Sequence, residues 1–165
     1  MDDRKGISVQ QEMSLVRNLT YWGPVLLWMS FIFWMSTGTF SAENTSLIIE
    51  PILRFLMPSI SPEKVALIHG IIRKSGHVTE YFILGILLFR AFRRGTKELL
   101  SWRWVFYSIF IVMLYAASDE FHQSFVSTRT ASFVDVGIDT LGGIFAQGVS
   151  VLWQFSHRNK ISDFC

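Results

Sequence analysis

The sequence predicts an all-α polytopic membrane protein with four transmembrane helices and an interfacial segment between the first and the second. Half of the 165 residues are hydrophobic, 15% are aromatic and the mean hydropathy is +0.36. These values are typical of integral membrane proteins rather than of soluble domains. Neither a repeat nor a low-complexity tract divides the chain, so we expect a single domain over residues 1–165.

The first predicted span, about residues 21–40, lies in a stretch that carries no charged side chain from residue 18 to residue 42. Tyr21 suits the membrane–water interface, and Pro24 suits a first helical turn. Residues 41–61 are apolar but are interrupted by prolines and charged side chains, so they are too short and too broken to cross a membrane. We therefore expect this connection to lie in the interface or to re-enter the membrane.

Three further spans are predicted at about 68–90, 102–121 and 133–153. Ser61 and Pro62 mark the helix start that precedes the second span, and Gly95 marks the break after it. The second span would fail a hydropathy scan, because only residues 81–89 are free of charge. The segment from Ser132 to Asp135 matches a capping box that opens the fourth span.

The distribution of basic residues predicts that both termini lie in the cytoplasm. Of the 15 Lys and Arg residues, most belong to the N-terminal segment, the 90–103 loop and the tail. The opposite side holds Arg54, Lys64, Arg73, Lys74 and Arg129. No apolar core with a small-residue cleavage site opens the chain, so we expect the first span to act as an uncleaved anchor.

Six ionisable residues lie near one end of the predicted second, third and fourth spans: His77, Glu80, Asp119, His122, Asp135 and Asp139. At about 1.5 Å of rise per residue, His77, Asp119 and Asp139 each lie roughly 20 Å from the predicted cytoplasmic boundary of their helix. In a hydrocarbon core about 30 Å thick, this depth is the outer third. Because a charge in hydrocarbon is costly, such residues usually pair or serve a function, and their shared depth predicts one polar site.

The residue types at this depth are compatible with three kinds of site. A histidine beside a carboxylate can act as a general base or a nucleophile, while basic side chains hold a phosphate. The candidate catalytic residues are His77, Asp119, Glu120 and His122. The candidate substrate-binding residues are Lys74, Glu80, Tyr81, Gln123, Arg129, Asp135 and Asp139. A divalent metal has weak support, because no motif such as HExxH occurs. The third kind is a structural ion-pair network that fixes helix register.

Two positions leave alternatives open. Asp119 and Glu120 lie at the negative end of the third helix dipole, which indicates a compensating cation such as Arg129 or Lys74, or a metal. Asp135 is either a member of the site or only a helix cap. Asp139 lies one turn deeper, and capping does not explain it.

Together these residues resemble the VanZ-like family of small bacterial membrane proteins. The resemblance rests on Lys74-Ser-Gly-His77-x-x-Glu80-Tyr81, on Asp119-Glu120-x-His122-Gln123 followed by Arg129, and on Asp135-x-x-x-Asp139-x-x-Gly142. The order, spacing and helical placement of these motifs agree from the first span to the fourth. The chain departs from the family pattern near Val126 and near Asp139, so the resemblance assigns no role to Asp139.

The resemblance implies a multi-pass protein of the bacterial inner membrane, with a substrate in the cell envelope and a link to glycopeptide-antibiotic resistance. We therefore expect the polar site to bind or process an anionic envelope lipid or a lipid-linked precursor. The sequence identifies neither a cofactor nor a metal, and it leaves both catalysis and homo-oligomerisation open. Other membrane lipids are the remaining expected partners. A more distant similarity to lipid-phosphate phosphatases lacks their nucleophilic His, because Asp135 stands there.

The alternative is a non-catalytic membrane protein that binds a partner or modulates envelope assembly, because no complete catalytic motif occurs. A transporter is disfavoured, since four spans without a repeat leave little room for alternating access. Nucleic-acid binding has no support beyond a short arginine run, which the positive-inside rule explains.

Overall fold

The computed structural model describes residues 3–37, 42–96, 100–126 and 132–162, and these residues form five α-helices and no β-strand. The helices are α1 (Asp3–Met35), α2 (Ala42–Leu56), α3 (Pro62–Arg93), α4 (Trp102–Gln123) and α5 (Phe133–Ser162). The predicted all-α class is therefore confirmed.

Four of the helices pack as an up-and-down bundle, while α2 packs mainly against α3. α1 and α4 run in one direction, and α3 and α5 run in the other. The contacts that establish these directions are Trp28–Glu80 and Trp22–Phe92 between α1 and α3, Met29–Tyr115 and Ser36–Gln123 between α1 and α4, and Lys74–Asp135 and Gly85–Gln147 between α3 and α5. Each helix of the bundle thus reverses the direction of the one before it.

Small residues let α3 and α5 approach closely, as the glycines of the fourth span indicate. A Cβ at Gly142 would lie 2.6 Å from the carbonyl oxygen of Val78, and one at Gly85 would lie 2.8 Å from the Cβ of Ala146. The remaining core is apolar and is centred on α3, where Leu84 and Leu88 are fully buried. The bundle is therefore tightest along its α3–α5 seam.

The outer surface of the bundle is strongly apolar. Every helix exposes large hydrophobic side chains, for example Leu27, Phe55, Leu67, Phe106 and Phe145. Apolar patches of this extent are rare on soluble monomers and mark contact with lipid or with another protein. This surface therefore agrees with the predicted membrane location.

Two helices among the described residues, not four, are long and apolar enough to cross a membrane. They are Trp102–Gln123 and Phe133–Ser156. α3 does not qualify because Arg73, Lys74 and Glu80 interrupt its apolar sequence, as expected for the second span. In α1, the tyrosine, tryptophans and proline of the apolar half lower its hydropathy. By length and composition alone, the prediction of four spans is thus reduced to two.

The helix ends test the predicted boundaries. Ser61 caps α3, since its Oγ accepts a hydrogen bond from the Lys64 amide and Pro62 occupies the first position. α3 ends where Arg94 and Gly95 adopt positive φ angles of 46° and 68°, which confirms the predicted break. The start of the first helix was predicted too late, because α1 begins at Asp3 and Pro24 lies inside it. The end of that predicted span, residues 38–40, lies outside the described residues.

The predicted interfacial segment forms α2. An ion pair of 2.8 Å joins Glu50 and Arg54 one turn apart, while Ile52 and Phe55, on the other side of the helix, expose their apolar side chains. A helix with separate charged and apolar faces suits a membrane interface. Its location there stays a prediction.

We predict that Gly142→Ala lowers the free energy of unfolding by about 1–3 kcal/mol, because the added methyl group would press on the Val78 carbonyl, which is backbone and cannot move aside. Gly148→Ala on the same helix is the control. No described atom outside its own stretch of helix lies within 4 Å of its Cβ position, so this change should be neutral or slightly stabilising. Thermal unfolding in detergent measures both, and equal melting temperatures would contradict the close α3–α5 contact.

Candidate functional site

Two acid–base pairs join the middle of α3 to the first two turns of α5. Lys74 Nζ lies 3.3 Å from Asp135 Oδ1, and His77 Nδ1 lies 3.8 Å from Asp139 Oδ2. The basic residues are three positions apart on α3 and the acids four apart on α5, so each pair lies one turn from the other. The outer pair is largely accessible, whereas the inner pair is mostly enclosed.

Asp139 is the deepest member of this arrangement. Its side chain is 1% exposed, and neither carboxylate oxygen has a hydrogen-bond partner among the described residues. His77, which is 23% exposed, lies 3.8 Å away and pairs with it when protonated, although this distance is too long for a hydrogen bond. Because burial of a carboxylate without hydrogen bonds is costly, packing alone does not explain this group.

Asp119 lies in a second, fully buried network. The Tyr81 hydroxyl donates to Asp119 Oδ2 at 3.3 Å, and the Gln123 amide donates to the same oxygen at 3.0 Å. The Gln123 amide also reaches Ser36 Oγ at 3.4 Å, so the network links α1, α3 and α4. Within the described residues, the donors to Asp119 are therefore neutral. Compensation by Arg129 or by a metal stays a prediction. Lys74 instead pairs with an α5 acid.

The start of α5 corrects the predicted capping box. Ser132 Oγ accepts a hydrogen bond from the Val134 amide at 3.2 Å, as a cap should. However, the Ser132 amide donates to Glu120 Oε2 at 2.8 Å and not to Asp135. Asp135 turns to Lys74 because an ammonium group is the stronger partner. Glu120 on α4 thus completes the cap of a different helix.

The remaining candidate residues are His122, Glu80 and Arg129. The His122 ring packs against the Phe33 ring of α1, with centroids 4.6 Å apart, and its backbone carbonyl accepts a hydrogen bond from the Phe125 amide. Glu80 contacts α1 through its backbone carbonyl, which accepts from Trp28 Nε1 at 2.9 Å. Arg129 lies outside the described residues. The structure therefore brings His77 to Asp139 and Tyr81 to Asp119, while His122 stands apart from both pairs.

The catalytic and binding roles of the candidates stay predictions. Tyr81, Asp119, Glu120 and Gln123 are buried, so they support the helices in this conformation, while His77 and Lys74 are accessible. Within the described residues, no group of three or more His, Cys, Asp or Glu side chains is arranged to hold a metal ion.

Sequence reasoning missed two uncharged polar residues. Ser36 belongs to the Asp119 network, and Gln147 donates to the Gly85 carbonyl at 3.0 Å across the α3–α5 seam. Both lie within or just beyond apolar stretches, where a polar residue is itself a signal of interhelical contact. The prediction of the polar site started from ionisable residues, so it did not include Ser36 and Gln147.

Comparison with known proteins yields one match. The family model described as VanZ/LLP1 matches residues 21–154, a range that runs from the apolar half of α1 to the second half of α5. No curated protein and no solved structure matches the chain at a significant level. The matched range contains both charged pairs and the Asp119 network.

We predict that Asp119→Leu lowers the free energy of unfolding by about 1–3 kcal/mol, because the buried Tyr81 hydroxyl and Gln123 amide lose their acceptor. Asp119→Asn keeps an acceptor oxygen in nearly the same place and should cost less. Thermal unfolding of both variants in detergent tests the network. A leucine variant as stable as the asparagine variant would show that these hydrogen bonds contribute little.

Proposed function

The chain belongs to the VanZ/LLP1 family, and from this premise we propose that it binds the anionic headgroup of a cell-envelope lipid or lipid-linked precursor at the bacterial inner membrane. The observation that carries the proposal is the pair formed by His77 and Asp139. A partly exposed imidazole is backed by a fully buried carboxylate that no hydrogen-bond donor satisfies among the described residues. Such arrangements are common at sites that bind or transform a ligand.

The proposed topology has four spans with both termini in the cytoplasm. The alternating directions of α1, α3, α4 and α5 support it, as does the excess of basic residues at the predicted cytoplasmic end. α3 has 32 residues, or roughly 48 Å of helix, which exceeds a hydrocarbon core of about 30 Å. The pairing of Lys74 with Asp135 also lowers the cost of charge in this helix.

The electrostatics of the site favour an anion at its open side. His77 Nδ1 is buried and faces Asp139, so the exposed part of the ring belongs to its other atoms. When the ring is protonated, Nδ1 pairs with the carboxylate and Nε2–H can donate to a phosphate oxygen. Lys74, which is 58% exposed and three residues away, adds an ammonium group. Arg129 is the third proposed cation.

In this proposal Asp139 is a positioning residue. Its carboxylate lies behind the imidazole and orients it, as second partners of functional histidines commonly do. The edge of His77 that meets the ligand is also the group best suited to transfer a proton, so any processing of the headgroup would depend on it. The acid–base roles of Asp119, Glu120 and His122 are secondary in this scheme.

The second candidate function is a non-catalytic membrane protein that binds a partner or modulates envelope assembly. The Asp119 network favours it, because an acid that accepts from Tyr81 and Gln123 across α3 and α4 is typical of groups that fix helix register. In that case the polar residues act on stability alone.

We predict that His77→Gln and Lys74→Gln each weaken binding of a polyprenyl phosphate about tenfold at low salt, because each removes one charge-assisted contact. Binding is measured with the purified full-length chain in neutral detergent, and uncharged polyprenol serves as the reference ligand. Lys64→Gln is the matched control, since Lys64 is an exposed lysine on the same helix and makes no ion pair with a described residue.

Asp139→Asn separates the two functions. It should weaken binding about as much as His77→Gln, although the side chain is too deeply buried to touch a ligand. Reduced affinity with an unchanged melting temperature supports the ligand site. If His77→Gln, Lys74→Gln and Asp139→Asn all lower the melting temperature but keep wild-type affinity, the structural network is favoured and the proposal is contradicted.

A further inference from the structure

A cavity lies at the end of the bundle where α3 ends, on the other side of the bundle's centre from the His77–Asp139 pair. It has a volume of about 500 Å³ and is enclosed by α1, α3 and α5. Ile86 and Phe89 of α3 and Val149 of α5 form apolar walls, and Arg90 and Arg93 bring two positive charges. Among the described residues that line the cavity, none is acidic.

The two arginines are held in different ways. The Arg90 guanidinium lies over the Tyr21 ring, 5.5 Å from its centroid, which is cation–π geometry. Tyr21 in turn rests against Gly95, where a Cβ would collide with the phenol oxygen. Arg93 Nε is buried and has no hydrogen-bond partner in the part of the chain that the structure describes. Both residues suit the negative end of the α3 dipole, which explains their position but not the unpaired Nε.

Gln154 provides an independent observation. Its side chain lines the cavity and is 6% exposed, yet neither its amide nitrogen nor its amide oxygen has a partner among the described residues. Two neighbours on α5 behave differently, since Gln147 donates to the Gly85 carbonyl and Ser150 donates to the Ala146 carbonyl. A buried amide with both functions unused is rare in folded proteins and points to a missing polar partner.

We propose that this cavity binds the phosphodiester headgroup of an anionic glycerophospholipid. Phosphate oxygens would accept from Arg93 Nε and from the Arg90 guanidinium. The side-chain amide of Gln154 is both a donor and an acceptor, so it would pair with hydroxyls or ester oxygens of the lipid's glycerol groups. The acyl chains would follow the apolar walls out to the bilayer. In the four-span topology the cavity faces the cytoplasmic leaflet, where anionic lipids attract basic groups near the surface.

The test uses native mass spectrometry of the purified full-length chain in neutral detergent. Dioleoyl phosphatidylglycerol should be retained in preference to dioleoyl phosphatidylcholine. The double variant Arg90→Gln, Arg93→Gln should weaken phosphatidylglycerol binding tenfold or more, because it removes one or two charge-assisted hydrogen bonds to the phosphate. The control is Arg103→Gln, which removes a charge at the same end from an exposed residue that does not line the cavity. It should leave binding unchanged.

The variant Gln154→Leu distinguishes loss of the binding site from loss of folding. Removal of an unsatisfied buried amide should keep or raise the melting temperature, so weaker phosphatidylglycerol binding by this variant would report the site itself. Equal retention of the two lipids, or no effect of the double arginine variant, would overturn the proposal. Displacement of phosphatidylglycerol by millimolar inorganic phosphate would identify free phosphate as the ligand and overturn the lipid assignment. Loss of binding in Lys74→Gln but not in the arginine variant would place the lipid at the other end and also refute it.

Discussion

Gly142 lies so close to the Val78 carbonyl that a Cβ there would approach its oxygen to 2.6 Å, and Gly85 stands equally close to Ala146. Along this seam α3 and α5 are nearly in backbone contact. Short side chains can therefore meet across the two helices, and Asp139 approaches His77 although neither side chain has a long reach. Wider separation would leave the Asp139 carboxylate alone in the apolar interior, where an isolated charge is very costly. The polar site thus depends on the packing of small residues one or two turns away.

The same end of the bundle holds two buried carboxylates in contrasting environments. Asp119 accepts hydrogen bonds from Tyr81 and Gln123, so its burial is compensated and its contacts tie three helices together. Asp139 has His77 at 3.8 Å and no hydrogen-bond donor among the described residues. A satisfied network stabilises one arrangement of helices, whereas an unsatisfied group retains capacity for a further partner. This difference separates the structural part of the polar cluster from the part that we propose to act on a ligand.

The two ends of the bundle also differ in how their charges are compensated. Where α5 begins, Lys74 and, when it is protonated, His77 each meet an acid of α5, so the charges largely cancel. Where α3 ends, Arg90 and Arg93 border a cavity to which the described residues contribute no acidic side chain. Helix dipoles favour basic groups at the second end and disfavour acids at the C-terminal end of α4. In the proposed topology these ends face opposite leaflets, and each would meet a different lipid headgroup.

Local sequence patterns predicted the all-α class, the Ser61 cap and the stop at Gly95. They also predicted a common depth for His77, Asp119 and Asp139, because a constant rise per residue converts spacing into depth. They did not determine which side chains pair with one another. Glu120 rather than Asp135 receives the Ser132 amide, and Tyr81 and Gln123 donate to Asp119. Those choices depend on how each helix is rotated and how closely it approaches its neighbours. Rotation and approach result from packing over many residues, so only the tertiary structure decided which side chains meet.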